Sequence, residues 1–258
     1  MIVEAVAGPA AIASSLRASG VSVSFSGLHA LSEVDLEVPR GVIIGLIGPN
    51  GSGKTTLLNV LSGVIAPTAG RVRLGATDVT GWPANRVAAG GLARTFQNIR
   101  LFGQMSVLEN VEVGVALHPD GLVGSSLRRR ARAMLVETDL ADMADRRAAT
   151  LPYGVQRRVE IARALATRPT FLMLDEPAAG TNEAESDELR ELIGELRRSH
   201  ELGILVVEHD LRLIMRLADR IAVLNEGRLI CEGTADEVRA DDGVRAAYLG
   251  RRAVEVVT

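Results

Sequence analysis

The chain has 258 residues, 47% of them hydrophobic and 24% charged, which suits one large globular domain or two small ones with ample length for a buried core. A net charge of -3 offers no basic field of the kind a nucleic-acid binder carries, and a single cysteine, Cys231, excludes an internal disulfide and suits a reducing compartment. No apolar run approaches the length of a membrane span, so membrane association is expected only through a partner.

Met1 to Ala18 reads as an N-terminal extension rich in Ala, Ser and Gly. It carries Glu4 and lacks the basic n-region of a secretory signal. Val21-Ser22-Val23-Ser24-Phe25 and Val34-Asp35-Leu36-Glu37-Val38 alternate apolar and polar residues, which predicts two half-buried strands of an antiparallel sheet. Phe25 closes the first of them in a chain with only four Phe, two Tyr and one Trp. It is therefore a candidate platform for a stacked base, with a core position as the alternative.

The apolar run Val42 to Ile47 predicts a buried strand, and Leu57-Leu58-Asn59-Val60-Leu61 predicts the first turns of a helix. Between them lies Gly48-Pro49-Asn50-Gly51-Ser52-Gly53-Lys54-Thr55-Thr56, which matches G-x-x-x-x-G-K-T in the strand, loop, helix setting that a P-loop requires. Glycines let such a loop wrap an anion, and free backbone N–H groups at the positive end of a helix attract phosphates. Lys54 would reach the β- and γ-phosphates and Thr55 would ligate Mg²⁺. Lys54 is also the only lysine among 29 basic residues. A chain that otherwise uses arginine throughout keeps a compact, flexible ammonium at this one place.

Pro67 and Gly70 mark a turn before a strand at Arg71 to Leu74. Trp82 is expected to be partly buried in a loop, followed by a short helix from Ala84 to Ala89. Leu92 to Phe96 predicts a strand with Gln97 at its C-terminal end, where ligands of open α/β sheets gather, so Gln97 is placed to meet a metal or an attacking water. From Ile99 to Ala149 strand-like alternation stops. Val107 to Val113 and Leu127 to Leu140 have helical spacing, broken by His118-Pro119-Asp120-Gly121, which reads as an inserted helical subdomain. The run Arg128-Arg129-Arg130-Ala131-Arg132 reads as a solvated helix face, with lipid headgroups or an acidic partner as the alternatives.

Leu151-Pro152-Tyr153-Gly154-Val155-Gln156-Arg157-Arg158 leads into an amphipathic helix from Val159 to Leu165. Phe171-Leu172-Met173-Leu174 ends in Asp175-Glu176, as in a strand buried on both faces with acids at its tip. Asp175 would hold Mg²⁺ in the Walker B manner and Glu176 is the natural general base. Adjacent acids capping an apolar strand are costly without a cation nearby. Asn182 to Ser199 reads as a charged surface helix and Ile204 to Val207 as a further buried strand, ending in Glu208-His209-Asp210. His209 thus repeats the placement of Gln97 and Glu176 at a strand tip. A helix at Leu211 to Ala218, strands at Ile221 to Leu224 and Arg228 to Cys231 about the turn Asn225-Glu226-Gly227, and a short C-terminal helix complete the chain.

Walker A, Gln97, the 151–158 element, Walker B with Glu176, and His209 stand in the order of an ABC transporter ATPase. The strings Gly91-Leu92-Ala93-Arg94-Thr95-Phe96-Gln97, Glu176-Pro177-Ala178-Ala179-Gly180, Val207-Glu208-His209-Asp210 and Ala247-Tyr248-Leu249-Gly250 narrow this. From about Val21 onward the chain resembles the ATP-binding subunits of bacterial branched-chain amino acid uptake systems. The resemblance implies an α/β fold, a P-loop NTPase (ABC ATPase) core with an antiparallel β subdomain and an inserted helical subdomain over about 99–165, within an ATPase domain spanning 19–250 and followed by a tail at 251–258. It implies ATP and Mg²⁺ as cofactors, with Phe25 on adenine, Ser52, Lys54 and Thr55 on phosphates and Mg²⁺, Gln97 in coupling, Glu176 activating water and His209 on the γ-phosphate. It also implies a cytoplasmic ATPase, peripheral at the inner face of the cell membrane, that pairs with a second ABC ATPase subunit, drives permease subunits fed indirectly by a solute-binding protein, and does not act on nucleic acid.

The signature segment, Leu151 to Gln156, departs from the common L-S-G-G-Q: Pro152 replaces Ser, Tyr153 the first Gly and Val155 Gln, while Thr181-Asn182 stands where Leu-Asp is common. Tyr153 is shared with the branched-chain group. These departures bear on the half of the active site lent to a partner subunit, so a heterodimer with an intact signature on the partner is expected, a homodimer being the alternative. The competing functions are an ATPase of the lipopolysaccharide-export type and a soluble nucleotide-dependent ABC regulator. A ribosome- or DNA-directed ABC protein would carry paired cassettes or a long coiled coil, and a GTPase would carry N-K-x-D; neither feature occurs.

Overall fold

A computed structural model describes residues 15–117 and 121–249. The expected extension up to residue 14, the expected interruption of the helical spacing at His118-Pro119-Asp120, Gly250 and the tail at 251–258 lie outside the described residues. Two sheets organise the rest. The first has strand order β2-β1-β4-β5, from β1 (Ser15–Phe25), β2 (Leu28–Pro39), β4 (Ala69–Leu74) and β5 (Thr77–Asp78), all pairing antiparallel. The second has order β10-β9-β3-β8-β7-β6, from β3 (Ile43–Ile47), β6 (Leu92–Arg94), β7 (Phe171–Asp175), β8 (Gly203–Val207), β9 (Arg220–Asn225) and β10 (Arg228–Gly233). Its strands run parallel from β9 to β6, and β10 pairs antiparallel on the edge.

The uninterrupted apolar runs become the central strands because both of their faces are covered. All residues of β3, β7 and β8 are buried, and alternate side chains enter two different cores. Ile43, Ile47, Leu172, Leu174, Ile204 and Val206 face the larger one. Ile44, Leu46, Phe171, Met173, Leu205 and Val207 face a core shared with α1 (Lys54–Leu61) and the antiparallel sheet. The helix α2 (Ala84–Ala89) follows, and Arg86 stacks on Trp82, 3.6 Å from the ring centroid, with Trp82 partly buried as expected.

Between β6 and β7 the chain forms α3 (Val107–Ala116), α4 (Gly124–Glu137) and α5 (Tyr153–Ala166). Ser106 and Glu109 form a capping box on α3. Arg128, Arg129 and Arg132 are exposed along α4 while Ala131, Met134 and Leu135 are buried, so the basic run is the solvated face it was expected to be. The charged helix α6 (Glu183–His200) carries a second capping box, Asn182 with Glu185, and α7 (Leu211–Leu217), α8 (Ala235–Ala240) and α9 (Asp242–Leu249) complete the chain.

Several boundaries differ from the sequence reading, and three of them bear on the sheet edge and the site. β1 begins at Ser15, so Ser15–Ala18 belong to the sheet and not to an extension. Leu16 and Ala18 are buried by pairing with Val38 and Leu36 on one side and Leu74 and Val72 on the other, partners remote in sequence. β6 stops at Arg94 instead of Phe96; the Thr95 N–H still donates to the Met173 carbonyl, after which the backbone leaves the ladder. α5 starts at Tyr153, with Pro152 as its N-cap, a place that needs no N–H from proline.

Candidate functional site

β3, β8, β7 and β6 are consecutive in the sheet, and the C-terminal end of each delivers one piece of the site. The loop 48–53 leaves β3 and runs into α1. Two of its glycines are dictated by close approach: a Cβ on Gly48 would lie 2.0 Å from the Leu224 carbonyl oxygen, and one on Gly53, φ 107°, would lie 2.7 Å from the Ala30 oxygen. No side chain caps α1, so its first N–H groups remain available to an anion. The Lys54 ammonium folds back over the loop and donates to the carbonyls of Gly48 at 2.7 Å and Pro49 at 3.0 Å. Burial lowers its pKa from the ordinary lysine value, against the opposing fields of Glu176 and Asp175. The Ser52 hydroxyl is buried with no hydrogen-bond partner. An orphaned hydroxyl and an ammonium resting on carbonyls both await an anion, so the residues fit a bound triphosphate.

Glu176 follows β7 in the left-handed region, φ 48°, and its N–H donates to the Val207 carbonyl at 2.8 Å. A non-glycine residue held in this region is strained backbone maintained by its surroundings. Gln97 Nε2 donates to Glu176 Oε2 at 2.8 Å, and His209 Nε2 lies 2.9 Å from Oε1. One carboxylate thus gathers both of the other strand-tip residues. Lys54, Thr55, Thr56, Gln97, Glu176 and His209 share a cleft of about 550 Å³ with Asn50 to Gly53. Leu28, His29 and Ala30 of the β1–β2 hairpin line its far side. Phe25 is not among the lining residues. It is 51% exposed at the hairpin end, which removes the core alternative and leaves an aromatic face available.

Asp175 is buried beside the cleft, where Arg94 Nη2 donates to its Oδ2 at 2.9 Å and its own N–H donates to the Thr95 hydroxyl. Leu151 is buried, while Pro152 and Tyr153 are exposed at the start of α5. Gln156 Nε2 donates to the Leu151 carbonyl and Val155 packs against the core. No side chain caps α5, as expected where Pro152 replaces a hydroxyl residue.

Four side chains escaped the sequence reading. Arg94 is one, and an arginine ending a buried strand could have signalled its acid partner. Arg157 and Glu160 are two more: the fully buried Arg157 donates to Glu160 at 2.7 Å, to the carbonyls of Phe96 and Gln97 at 2.7 and 2.8 Å, and to the Tyr153 hydroxyl at 3.2 Å. Their i, i+3 spacing on the apolar face of the helix was the available clue. The fourth is Glu208, buried so that its pKa is raised, which accepts from the N–H groups of Ala178 at 2.6 Å and His209 at 3.1 Å. At the other end of the chain, the Tyr248 hydroxyl hydrogen-bonds with the Gly48 backbone, and burial pushes the phenol up to about 12.

Comparison with known proteins shows the family. Residues 31–179 match the ABC transporter family, and residues 228–254 match a family described as branched-chain amino acid ATP-binding cassette transporter. The chain is 43% identical over 248 residues to the high-affinity branched-chain amino acid transport ATP-binding protein BraF of Pseudomonas aeruginosa, covering 91% of this chain and 97% of that one. It is 44% identical over 248 residues to LivG of Escherichia coli K12, which carries the same description, with the same coverage. Among solved structures, the ADP conformation of MJ1267, an ATP-binding cassette of an ABC transporter, superposes with a TM-score of 0.83 at 30% identity, covering 92% of this chain and 98% of that one.

Proposed function

The chain belongs to the ABC transporter family, and on that premise we propose that it is the ATP-hydrolysing subunit of a membrane importer for branched-chain or related amino acids. The observation that carries the proposal is the convergence of Gln97 and His209 on the Glu176 carboxylate at the mouth of the P-loop cleft. ATP would lay its triphosphate along Gly48 to Thr56, taking the loop N–H groups, the Ser52 hydroxyl and the Lys54 ammonium, with Phe25 stacking on adenine. Thr55, Asp175 and Gln97 would hold Mg²⁺, which when bound neutralises charge on the β- and γ-phosphates. Glu176 would accept a proton from the attacking water as the water oxygen bonds to the γ-phosphorus and the bond to the bridging oxygen of ADP breaks. His209, held against Glu176, would turn to donate to the γ-phosphate oxygens. Gln97 belongs both to the site and to the segment leading to α3, which suits a role in coupling.

Among the described residues no helix is long and apolar enough to cross a membrane, and in this reading the membrane portion is supplied by permease subunits. An apolar groove of about 450 Å³ between α2, β6, α3 and α5 includes Val64, Phe102 and Leu117, all exposed large hydrophobics. We assign it to a permease segment, which would make the subunit peripheral at the cytoplasmic face, with a solute-binding protein engaged only through the permease. The match of residues 228–254 favours uptake over the lipopolysaccharide-export reading.

The uncapped start of α5 at Pro152 supports pairing with a second ATPase subunit whose own signature is intact. In such a pair this chain's signature would serve the slower of two sites, because proline supplies neither hydroxyl nor N–H to a γ-phosphate. The functional test is reconstitution with the permease subunits and solute-binding protein in liposomes. ATP-dependent uptake of leucine, isoleucine or valine is expected. Efficient ATP turnover by the assembled complex without uptake of any of the three would reject the substrate class.

A further inference from the structure

Arg94 lies between the groove and the catalytic carboxylates and contacts both sides. Its guanidinium donates to Asp175 Oδ2 at 2.9 Å, and also to Asn59 Oδ1 at 2.7 Å and Ser62 Oγ at 3.1 Å on the P-loop helix. Its side chain and that of Asp175 are 6% and 8% exposed, so this is a buried charge pair braced against α1. On the other side Arg94, Ser62, Phe96 and Arg100 all line the groove. The guanidinium carbons of Arg94 and Arg100 sit 5.0 and 4.2 Å from the centroid of the Phe96 ring. The Arg94 Nε is buried without a hydrogen-bond partner, so the fork is incompletely satisfied as it stands. Three residues further on, Gln97 holds the neighbouring acid, Glu176. One short segment, 94–97, therefore contacts two successive carboxylates of the site from a wall of the groove.

We propose that Arg94 is a positioning residue that sets how Asp175 is presented to the nucleotide-bound cation and makes that presentation depend on what fills the groove. The proposal rests on the readings of Asp175 as a Mg²⁺ residue and of the groove as the permease-docking site. A carboxylate whose one oxygen is fixed by a braced guanidinium can turn only about that bond, so its remaining lone pairs are aimed before the cation arrives. A segment seated in the groove presses on Phe96 and on the guanidinium itself, and any shift of Arg94 alters both the direction and the charge compensation of Asp175. Lysine cannot substitute fully, because a point charge lacks the planar fork that spans Asp175, Asn59 and Ser62 at once.

The test is equilibrium binding of a fluorescent ATP analogue to the full chain, in excess Mg²⁺ and in EDTA, for wild type, Arg94→Lys and Arg94→Met, with thermal unfolding recorded alongside. Mg²⁺ is expected to tighten binding in wild type. In Arg94→Met that gain should fall by about 10- to 100-fold, the loss usual when a second-layer partner of a metal ligand is removed, with affinity in EDTA unchanged. Arg94→Lys should fall between the two, and it carries the test if the methionine variant does not fold. A gain equal to wild type in a folded variant of either kind overturns the positioning role. In the assembled transporter, Arg94→Lys should lose a larger factor from permease-stimulated than from basal turnover; an unchanged ratio overturns the dependence on the groove. If wild type itself shows no permease stimulation while the Mg²⁺ result holds, the docking reading fails and the role toward Asp175 stands.

Discussion

Lys54 pairs its charge with loop carbonyls and not with an acid, so burial holds its pKa below the ordinary lysine value. Triphosphate binding favours the charged ammonium and must raise that pKa again. Between the free and bound values, then, binding takes up a proton, and nucleotide affinity should fall as the pH rises through the lowered pKa of the free chain. Calorimetric titrations at alkaline pH in buffers of different ionisation enthalpy read this directly; a binding heat independent of buffer in that range would contradict it. Removing the charge altogether with Lys54→Ala should abolish tight ATP binding. Glu176→Gln should instead leave binding intact and cut turnover by roughly 10² to 10⁴, the usual worth of a general base. Measured affinity and turnover of both variants decide the division of labour, and Glu176→Gln turning over like wild type would remove Glu176 from its role.

The helix α5 begins at the signature and ends beside the groove, and it is tied to the Gln97 segment by one buried cation. Arg157 satisfies Glu160 and two backbone carbonyls at once. Deleting one partner of such a pair strands a buried charge, at a cost of about 3–5 kcal/mol, whereas replacing both by apolar residues of similar volume is often neutral. Arg157→Met is accordingly expected to lower stability by about that amount, and Arg157→Met with Glu160→Leu to recover part of it, the carbonyls of Phe96 and Gln97 and the Arg100 N–H that donates to Glu160 remaining unpaired. Urea denaturation of the single and double variants measures both. A single variant as stable as wild type would show that the link between helix and loop is ornamental.

At the scale of the proposed assembly, the site on one chain would be completed by others. The purified chain is expected to be a slow ATPase and mainly monomeric, with turnover rising when permease subunits and a second ATPase are supplied. Rapid hydrolysis at dilute protein without partners would count against this. With an intact partner signature capping this chain's P-loop, Pro152→Ser should accelerate the complex only through the partner's site, a change visible when that site is separately disabled. Full cooperative turnover by a homodimer of this chain, or no response to Pro152→Ser in the complex, would dismiss the asymmetric arrangement.

Residues 48–56, Gln97, Asp175, Glu176 and His209 could be found from the sequence alone because each is a local event: an apolar run long enough to be a buried strand, then a polar residue at its end. The α/β class and the antiparallel sheet were legible for the same reason, since alternation and uninterrupted runs report how many faces of a strand are covered. Strand β1 was read too short because its first residues are buried by Val38, Leu36, Leu74 and Val72, and no local pattern announces a partner far along the chain. The same holds for Arg94 against Asp175, Arg157 against the Gln97 backbone and Tyr248 against Gly48. Sequence determined which residues are the candidates for the chemistry. Tertiary structure decided which charges hold them in place, because a buried ion pair depends on a juxtaposition that only the packed sheet and helices create.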